Sequence, residues 1–327
     1  MALGVVCVVA FTTLVVRRTG MAGAPLPAFL ALVAVFGPLW YSFGEGNTTH
    51  MVLLLLLVAM LACKRRRDFA AGALLGIAAV IKLPLLLFGV YYAARGRWRV
   101  VAGGATVLLL AGAVSLLMFG WPLHQLWHKR CIAPFTSRPM PAYNVQSIDG
   151  FLARLHHGPL LLRDWDPVKL SRPARVASKL AALALFAVAA IAIARAQHAP
   201  PLPWRAVEPL DPDAEALLFC PLLFCLVLAL ALTTSPLTWT HYHLYLLLPL
   251  ALWLSGRMVP TLPPPHGHGL WLAAALLTSL PAVIIEPEAT SRLAAITSRT
   301  VVSLHLLGAL LCFLAIVMSR PHQPTTS

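Results

Sequence analysis

The sequence predicts an all-α polytopic membrane protein, a single transmembrane helical bundle over residues 1–327 that crosses the bilayer about ten or eleven times. Three observations predict it. Apolar residues make up 59% of the chain and charged residues 11%, whereas a soluble domain carries roughly 25% charged residues. The apolar residues gather in runs of about 15–25, the length a helix needs to cross a hydrocarbon core of about 30 Å. Lysine and arginine sit in short clusters between those runs, as they do in the loops of membrane proteins.

The runs fall at about 1–16, 27–43, 48–62, 69–94, 98–119, 176–194, 214–232, 240–255, 269–285 and 300–318. Each is expected to be helical, because a backbone amide in lipid must be satisfied within its own segment. Arg17 and Arg18 follow the first run, Lys64 to Arg67 the third, and Arg95, Arg97 and Arg99 the fourth. Were 69–94 one full crossing, the last two clusters would face opposite compartments, against the positive-inside rule. That run contains Lys82-Leu83-Pro84. Proline removes a helical hydrogen bond, and a lysine at mid-bilayer costs about 2.5–3.5 kcal/mol. The expectation is a helical hairpin: 69–81 rises, the chain turns near Lys82 to Pro84, and 85–94 returns.

Alternation places the rest. The loop of about 120–175 is external, 195–213 cytoplasmic, the turn Ser235 to His243 external, Arg257 cytoplasmic, 286–299 external and Arg320 cytoplasmic, with Met1 on the outer side. The 120–175 loop is itself basic, but longer loops weaken the charge rule. The polar oddities thus collect on one side: Gly44-Glu45-Gly46-Asn47, Lys82, the 120–175 loop and Thr238 to His243. The location expected is the cell membrane, with many passes.

A net charge of +14 raises the question of nucleic acid. The basic residues are not gathered on a polar fold; they orient the spans and meet anionic lipid, so membrane lipid is a partner and nucleic acid is not. The six cysteines show neither zinc spacing nor a disulfide framework. His156-His157 and His266-Gly267-His268 have no carboxylate or thiol nearby and read as solvated loop residues. No metal site is expected. There is no Walker loop and no dinucleotide fingerprint, and no cofactor is expected. Asp164-Trp165-Asp166 has the spacing of a metal-holding Asp-x-Asp pair, but it sits beside a proline in a basic loop. A lipid-phosphate sugar donor fits this inventory better than a nucleotide sugar. The chain lacks the basic start and small-residue cleavage site of a removable signal peptide.

Ionisable groups in or beside spans are functional candidates, each with an ordinary alternative. Glu45 sits in a glycine turn where Asn47 and Thr48 can cap the next helix; it is either an interfacial turn residue or a carboxylate facing a sugar or acceptor hydroxyl. Lys82 either snorkels to the interface or is aimed at a lipid phosphate, which it would stabilise as leaving group. His241 and His243 lie beside Trp239, Tyr242 and Tyr245, which suits an aromatic belt. On a helix two such histidines diverge by about 200°, which argues against a two-histidine metal site and for one imidazole entering a cavity. The polar run Tyr143 to Asp149 is either an ordinary loop leading into a helix or the lining of a sugar site, in which the Asn144 and Gln146 amides would pair with hydroxyls. Asp149 with Arg154 is either a helix-start pair or part of the same sugar site.

These residues, in this order, resemble glycosyltransferase family 87 of the GT-C superfamily. The resemblance runs from GEGN at 44–47, through KRRRDFAAGALLGIAAVIKLPLLLF at 64–88, to YNVQSIDGFLARL at 143–155 and SPLTWTHYHLYLLLPL at 235–250. It implies a GT-C-like fold and a multi-pass enzyme that moves mannose or a related hexose, with inversion, from a polyprenyl phosphate to a glycolipid or polysaccharide acceptor on the outer face. Lys82 and His241 match positions near the donor phosphate; Asn144 and Ser147 match the loop element. Asn47, Gln146, Trp239 and His243 are the further substrate-binding candidates. Glu45 stands where the family has glutamine. The family's catalytic aspartate lies in a first external loop after an initial span, and this chain starts where that loop would end. Glu45 and Asp149 are therefore the candidates for the base. The alternatives are a donor-binding subunit that has lost the base or, less in keeping with the lack of an internal repeat, a transporter.

Overall fold

The computed structural model of the chain describes residues 1–134, 138–157, 162–196, 221–282 and 292–321. Among them the chain is mostly helical; the exceptions are connecting loops, the longest 138–147 and 162–171, and a short antiparallel ribbon in which Met258–Pro260 pairs with Ser319–Pro321. Five helical stretches are long and apolar enough to cross a membrane: Ala2–Thr19, Pro25–Gly44 (with a break at Phe36), Trp98–Ile132, Arg172–Arg195 and Ile296–Val317. Shorter apolar helices, including Thr49–Lys64, Asp68–Ile81, Leu83–Ala94 and Pro221–Thr234, complete the bundle. The protein is an all-α polytopic membrane protein. Pro221–Thr234 is buried at nearly every position, as expected for a helix that is apolar all round and sits centrally.

The hairpin around Lys82 follows from how three helices meet. Call Ala2–Thr19 α1, Pro25–Val35 α2, Gly37–Gly44 α3, Thr49–Lys64 α4, Asp68–Ile81 α5, Leu87–Ala94 α6 and Trp98–Trp127 α7. Arg97 donates to both carboxylate oxygens of Asp68 at 2.9 Å, so the starts of α5 and α7 sit together. Gly72 of α5 lies against the backbone of Val100, and Gly103 of α7 against that of Phe69. A methyl group at either glycine would run into a carbonyl oxygen; small residues let membrane helices approach this closely. Since α5 and α7 run parallel, the chain between them must climb and return. It does so through a break at Lys82 (φ −137°, ψ 95°) and a 3-10 turn, Leu83–Leu86, ahead of α6. At 1.5 Å per residue α5 is about 21 Å long, so Lys82 stands that far from the basic turns at its foot.

Other contacts give the same polarity. Arg257 donates to the carbonyl of Thr19 at 3.0 Å, which places its turn beside Arg17 and Arg18. Gly4 packs on His50, so the helices Ala2–Thr19 and Thr49–Lys64 start at the same end of the bundle. Basic turns therefore mark one end of the bundle, and GEGN, Lys82 and the Thr240 turn lie at the other.

Three expectations are corrected. The run 27–43 is two helices, Pro25–Val35 and Gly37–Gly44, broken at Phe36 (ψ 103°). Pro38 cannot donate to the Ala34 carbonyl, and the Trp40 indole donates to it instead, at 2.7 Å. The loop 120–175 opens as helix: α7 kinks at Gly120 (φ 70°, ψ 162°) and continues to Trp127. His124 spans that kink, reaching Ser115 Oγ at 2.9 Å and the Gly120 carbonyl at 2.8 Å. His266-Gly267-His268 is not a loop but the first turn of His266–Ser279, where His268 Nδ1 accepts from the Trp253 indole at 3.3 Å. Parts of the runs 214–232 and 269–285, and of the loops 195–213 and 286–299, lie outside the described residues.

Candidate functional site

The helix Gly37–Gly44 ends in a glycine-dependent turn. Gly46 takes a left-handed conformation (φ 62°); its amide donates to the Phe43 carbonyl and that of Asn47 to the Ser42 carbonyl. This is the paired bonding of a Schellman C-cap. It leaves Glu45 exposed at the rim and turns the Asn47 side chain inward. Asn47 does not cap the following helix through its side chain, as the sequence suggested; Thr48 is the N-cap and makes no side-chain cap bond. The Asn47 Oδ1 instead accepts from Lys82 Nζ at 2.9 Å and from Thr49 Oγ1 at 2.8 Å.

Lys82 is 7% exposed. Its ammonium also sits 4.4 Å above the ring centre of Tyr242. No carboxylate pairs with it among the described residues. A charge withdrawn from water costs several kcal/mol. One charged hydrogen bond returns about 1.5–3 and a cation–π contact about 0.5–2 kcal/mol. The balance favours a further anionic partner.

A second junction brings in the rest of the site. The segments 144–146 and 238–240 pair antiparallel, with a bridge between Val145 and Trp239. Gln146 N donates to the Thr238 carbonyl at 2.6 Å, and Thr240 N to the Asn144 carbonyl at 2.8 Å. The pairing holds Asn144 next to the 3-10 turn Thr240–Leu246. Asn144 Nδ2 donates to the Tyr41 hydroxyl at 2.9 Å, while its Oδ1 has no partner among the described residues. His241, 7% exposed, lies nearly parallel to the rings of Tyr41 and Trp239, at 6.2 and 6.5 Å. Neither of its ring nitrogens has a hydrogen-bond partner among the described residues.

Glu45, Asn47, Lys82, Asn144, Trp239 and His241 line one pocket of about 330 Å³, together with Tyr41, Tyr242 and Trp165. The first six are candidates from the sequence; the last three are not. Tyr41 lies four residues before Glu45, one helical turn away on the same face, and Tyr242 sits between the two flagged histidines. Trp165 stands in the sequence only as the middle of an Asp-x-Asp pair. The described residues hold no cluster of three metal-ligating side chains.

The remaining candidates lie outside this pocket lining. Gln146 is 1% exposed and works as a strut: Nε2 donates to the carbonyls of Tyr143 and Val302, and Oε1 accepts from Leu306 N. Ser147 Oγ accepts from Gly150 N at 3.0 Å and starts the helix Ile148–His157. Asp149 is in the first turn of that helix, half-buried. His243 turns away from His241 and is fully buried, its ring 5.8 Å from that of His305. Arg154 does not pair with Asp149. It is fully buried and donates to the carbonyls of Ala142 and Val145 and to Ser303 Oγ, at 2.8–3.2 Å. Burial pushes its guanidinium down to about 9, which still leaves it charged at neutral pH. Arg154 and Gln146 together fasten the Asn144 loop to the start of the last long helix.

Fold and site define a polytopic helical membrane protein that holds a buried cation and unpartnered polar atoms in an aromatic-walled pocket. The sequence model of glycosyltransferase family 87 matches residues 1–209, and the chain belongs to that family. Over 247 residues, 73% of its length, it is 28% identical to a polyprenol-phosphate-mannose-dependent alpha-(1-2)-phosphatidylinositol pentamannoside mannosyltransferase of Mycolicibacterium smegmatis. The chain spans about half the length of that curated relative. No solved structure matches it.

Proposed function

We propose that the chain is a membrane glycosyltransferase that moves a hexose, mannose first among the choices, from a polyprenyl-phosphate sugar to a glycolipid or polysaccharide acceptor on the outer face of the cell membrane. The observation that carries this reading is Lys82, a buried cation with no carboxylate partner among the described residues, in a pocket where the buried amide oxygen of Asn144 and the His241 imidazole also lack partners among those residues. A phosphate supplies the missing negative charge, and the isoprenoid tail of its lipid lies among the surrounding apolar helices. The basic turns at the opposite end of the bundle favour an outer-facing pocket.

In this reading Lys82 and His241 bind the phosphate and stabilise it as the bond between the sugar's anomeric carbon and the phosphate oxygen breaks. The electron pair of that bond leaves with the polyprenyl phosphate. An acceptor hydroxyl attacks from the other face, which inverts the anomeric centre, and its proton passes to a carboxylate. Glu45 lines the pocket and Asp149 does not, so Glu45 is assigned the base. Asn144 and Asn47 offer amide groups to hydroxyls.

The test is transfer of radiolabelled mannose from polyprenyl-phosphate mannose in membranes carrying the wild type, Lys82→Ala or His241→Ala. Transfer by the wild type and a fall of tenfold or more in both variants is expected. Undiminished transfer in both would remove the site assignment. A wild type that binds polyprenyl phosphate without transferring sugar would instead point to a donor-binding subunit.

A further inference from the structure

Trp165 reaches the pocket from a turn that is unusually well fastened for one so exposed. On one side of the turn Tyr143 N donates to the Leu162 carbonyl at 2.9 Å; on the other Val168 N donates to the Pro139 carbonyl at 2.8 Å. Both bonds tie the turn to the segment that carries Asn144. Within it Asp166 N donates to Asp164 Oδ1 at 2.8 Å, an Asx-turn that fixes the tip. The Asp-x-Asp spacing thus serves the backbone. The Tyr143 ring meets the indole edge-on, with centres 6.5 Å apart at 71°. Even so, Trp165 remains 46% exposed.

An indole is a large apolar surface whose burial contributes strongly to stability. Here it is braced on one side and left open beside groups of the opposite character, Asn47, Lys82 and Asn144. A flat aromatic face next to a few convergent polar groups fits a ligand that is itself divided, with a face of C–H bonds and a rim of hydroxyls. Hexopyranose rings have that shape. Lipid tails lack the rim, and inorganic phosphate lacks the apolar face.

We propose that Trp165 is a stacking platform for a hexopyranose ring and thereby a specificity-determining residue of the pocket. The proposal rests on the glycosyl-transfer reading of the same site. The ring is either the donor's or the acceptor's sugar.

The test uses the full chain in lipid nanodiscs and saturation-transfer difference NMR with methyl α-mannopyranoside and methyl α-glucopyranoside, with open-chain mannitol as control. The wild type is expected to transfer saturation to the ring protons of a pyranoside and not to mannitol. Trp165→Ala and Trp165→Leu should lose the signal at least fivefold, and Trp165→Phe should keep most of it. An unchanged signal in Trp165→Ala, full rescue by leucine, or no signal from either pyranoside with the wild type would overturn the proposal. Loading with polyprenyl-phosphate mannose separates the sources: a signal abolished by the loaded donor supports a platform for the donor's sugar, and one that persists supports a platform for the acceptor's. Binding of polyprenyl phosphate, followed in parallel by native mass spectrometry, distinguishes the two readings. Its absence from the wild type would remove the donor assignment while the pyranoside result still decides the platform.

Discussion

The ammonium of Lys82 lies 2.9 Å from the amide oxygen of Asn47, a residue 35 positions earlier on another helix end. The contact joins the close of one glycine turn to the break of a hairpin, and it aims the cation into the pocket. Among the described residues, removing the amide oxygen with Asn47→Ala leaves Lys82 with only the Tyr242 face. Such a bond contributes about 1.5–3 kcal/mol. The expected result is a tenfold or larger fall in affinity for polyprenyl phosphate, read by native mass spectrometry or competition, with Asn47→Asp affected differently because it adds a competing charge.

Glu45→Gln should separate chemistry from binding. General-base catalysis is worth about 10²–10⁴-fold, so mannose transfer should drop by that range while polyprenyl-phosphate binding stays near the wild type. A fully active Glu45→Gln would show that the proton goes elsewhere, and Asp149→Asn would be the next variant to assay.

Gly72→Leu should damage the fold without touching the pocket. The new side chain meets the Val100 backbone, and overpacking of this kind costs about 1–3 kcal/mol or more. A thermal midpoint several degrees lower in detergent is expected, whereas the same change at Gly89, which faces open space, should be tolerated.

Arg154→Met would strand the carbonyl of Val145 and the hydroxyl of Ser303, while the Ala142 carbonyl would keep the Val145 amide. Each unsatisfied buried group costs about 1–3 kcal/mol. Faster hydrogen exchange across 142–147 and 302–306 is expected, with Arg154→Lys recovering part of the protection. Equal exchange in wild type and Arg154→Met would show that the strut is dispensable.

Membrane sidedness is testable by placing single cysteines in a variant without native cysteines. Reporters at 66 and 96 should label from one compartment, and reporters at 45 and 143 from the other. Labelling of 66 and 96 from opposite sides would contradict the hairpin, and labelling of 45 and 66 from the same side would contradict the outer-facing pocket.

Much of this protein was legible in its sequence because lipid makes local demands. Backbone groups must be satisfied within each segment, so apolar runs became helices; charge asymmetry and Lys82-Leu83-Pro84 gave the hairpin, which the Asp68–Arg97 pair and the Gly72 contact then displayed. The turn glycines of GEGN were readable for the same reason. Only the tertiary structure decided which polar residues share a pocket. Asn144 and Thr240 are 96 residues apart, and their pairing depends on the path of intervening chain that no local pattern records. The roles of individual polar groups were equally hidden. Asn144, Gln146 and Ser147 look alike in sequence as sugar-binding groups, yet Gln146 and Ser147 spend their hydrogen bonds on the backbone, while Asn144 keeps one oxygen open. A buried polar side chain is defined by the partner that satisfies it, and that partner is fixed by three-dimensional packing alone.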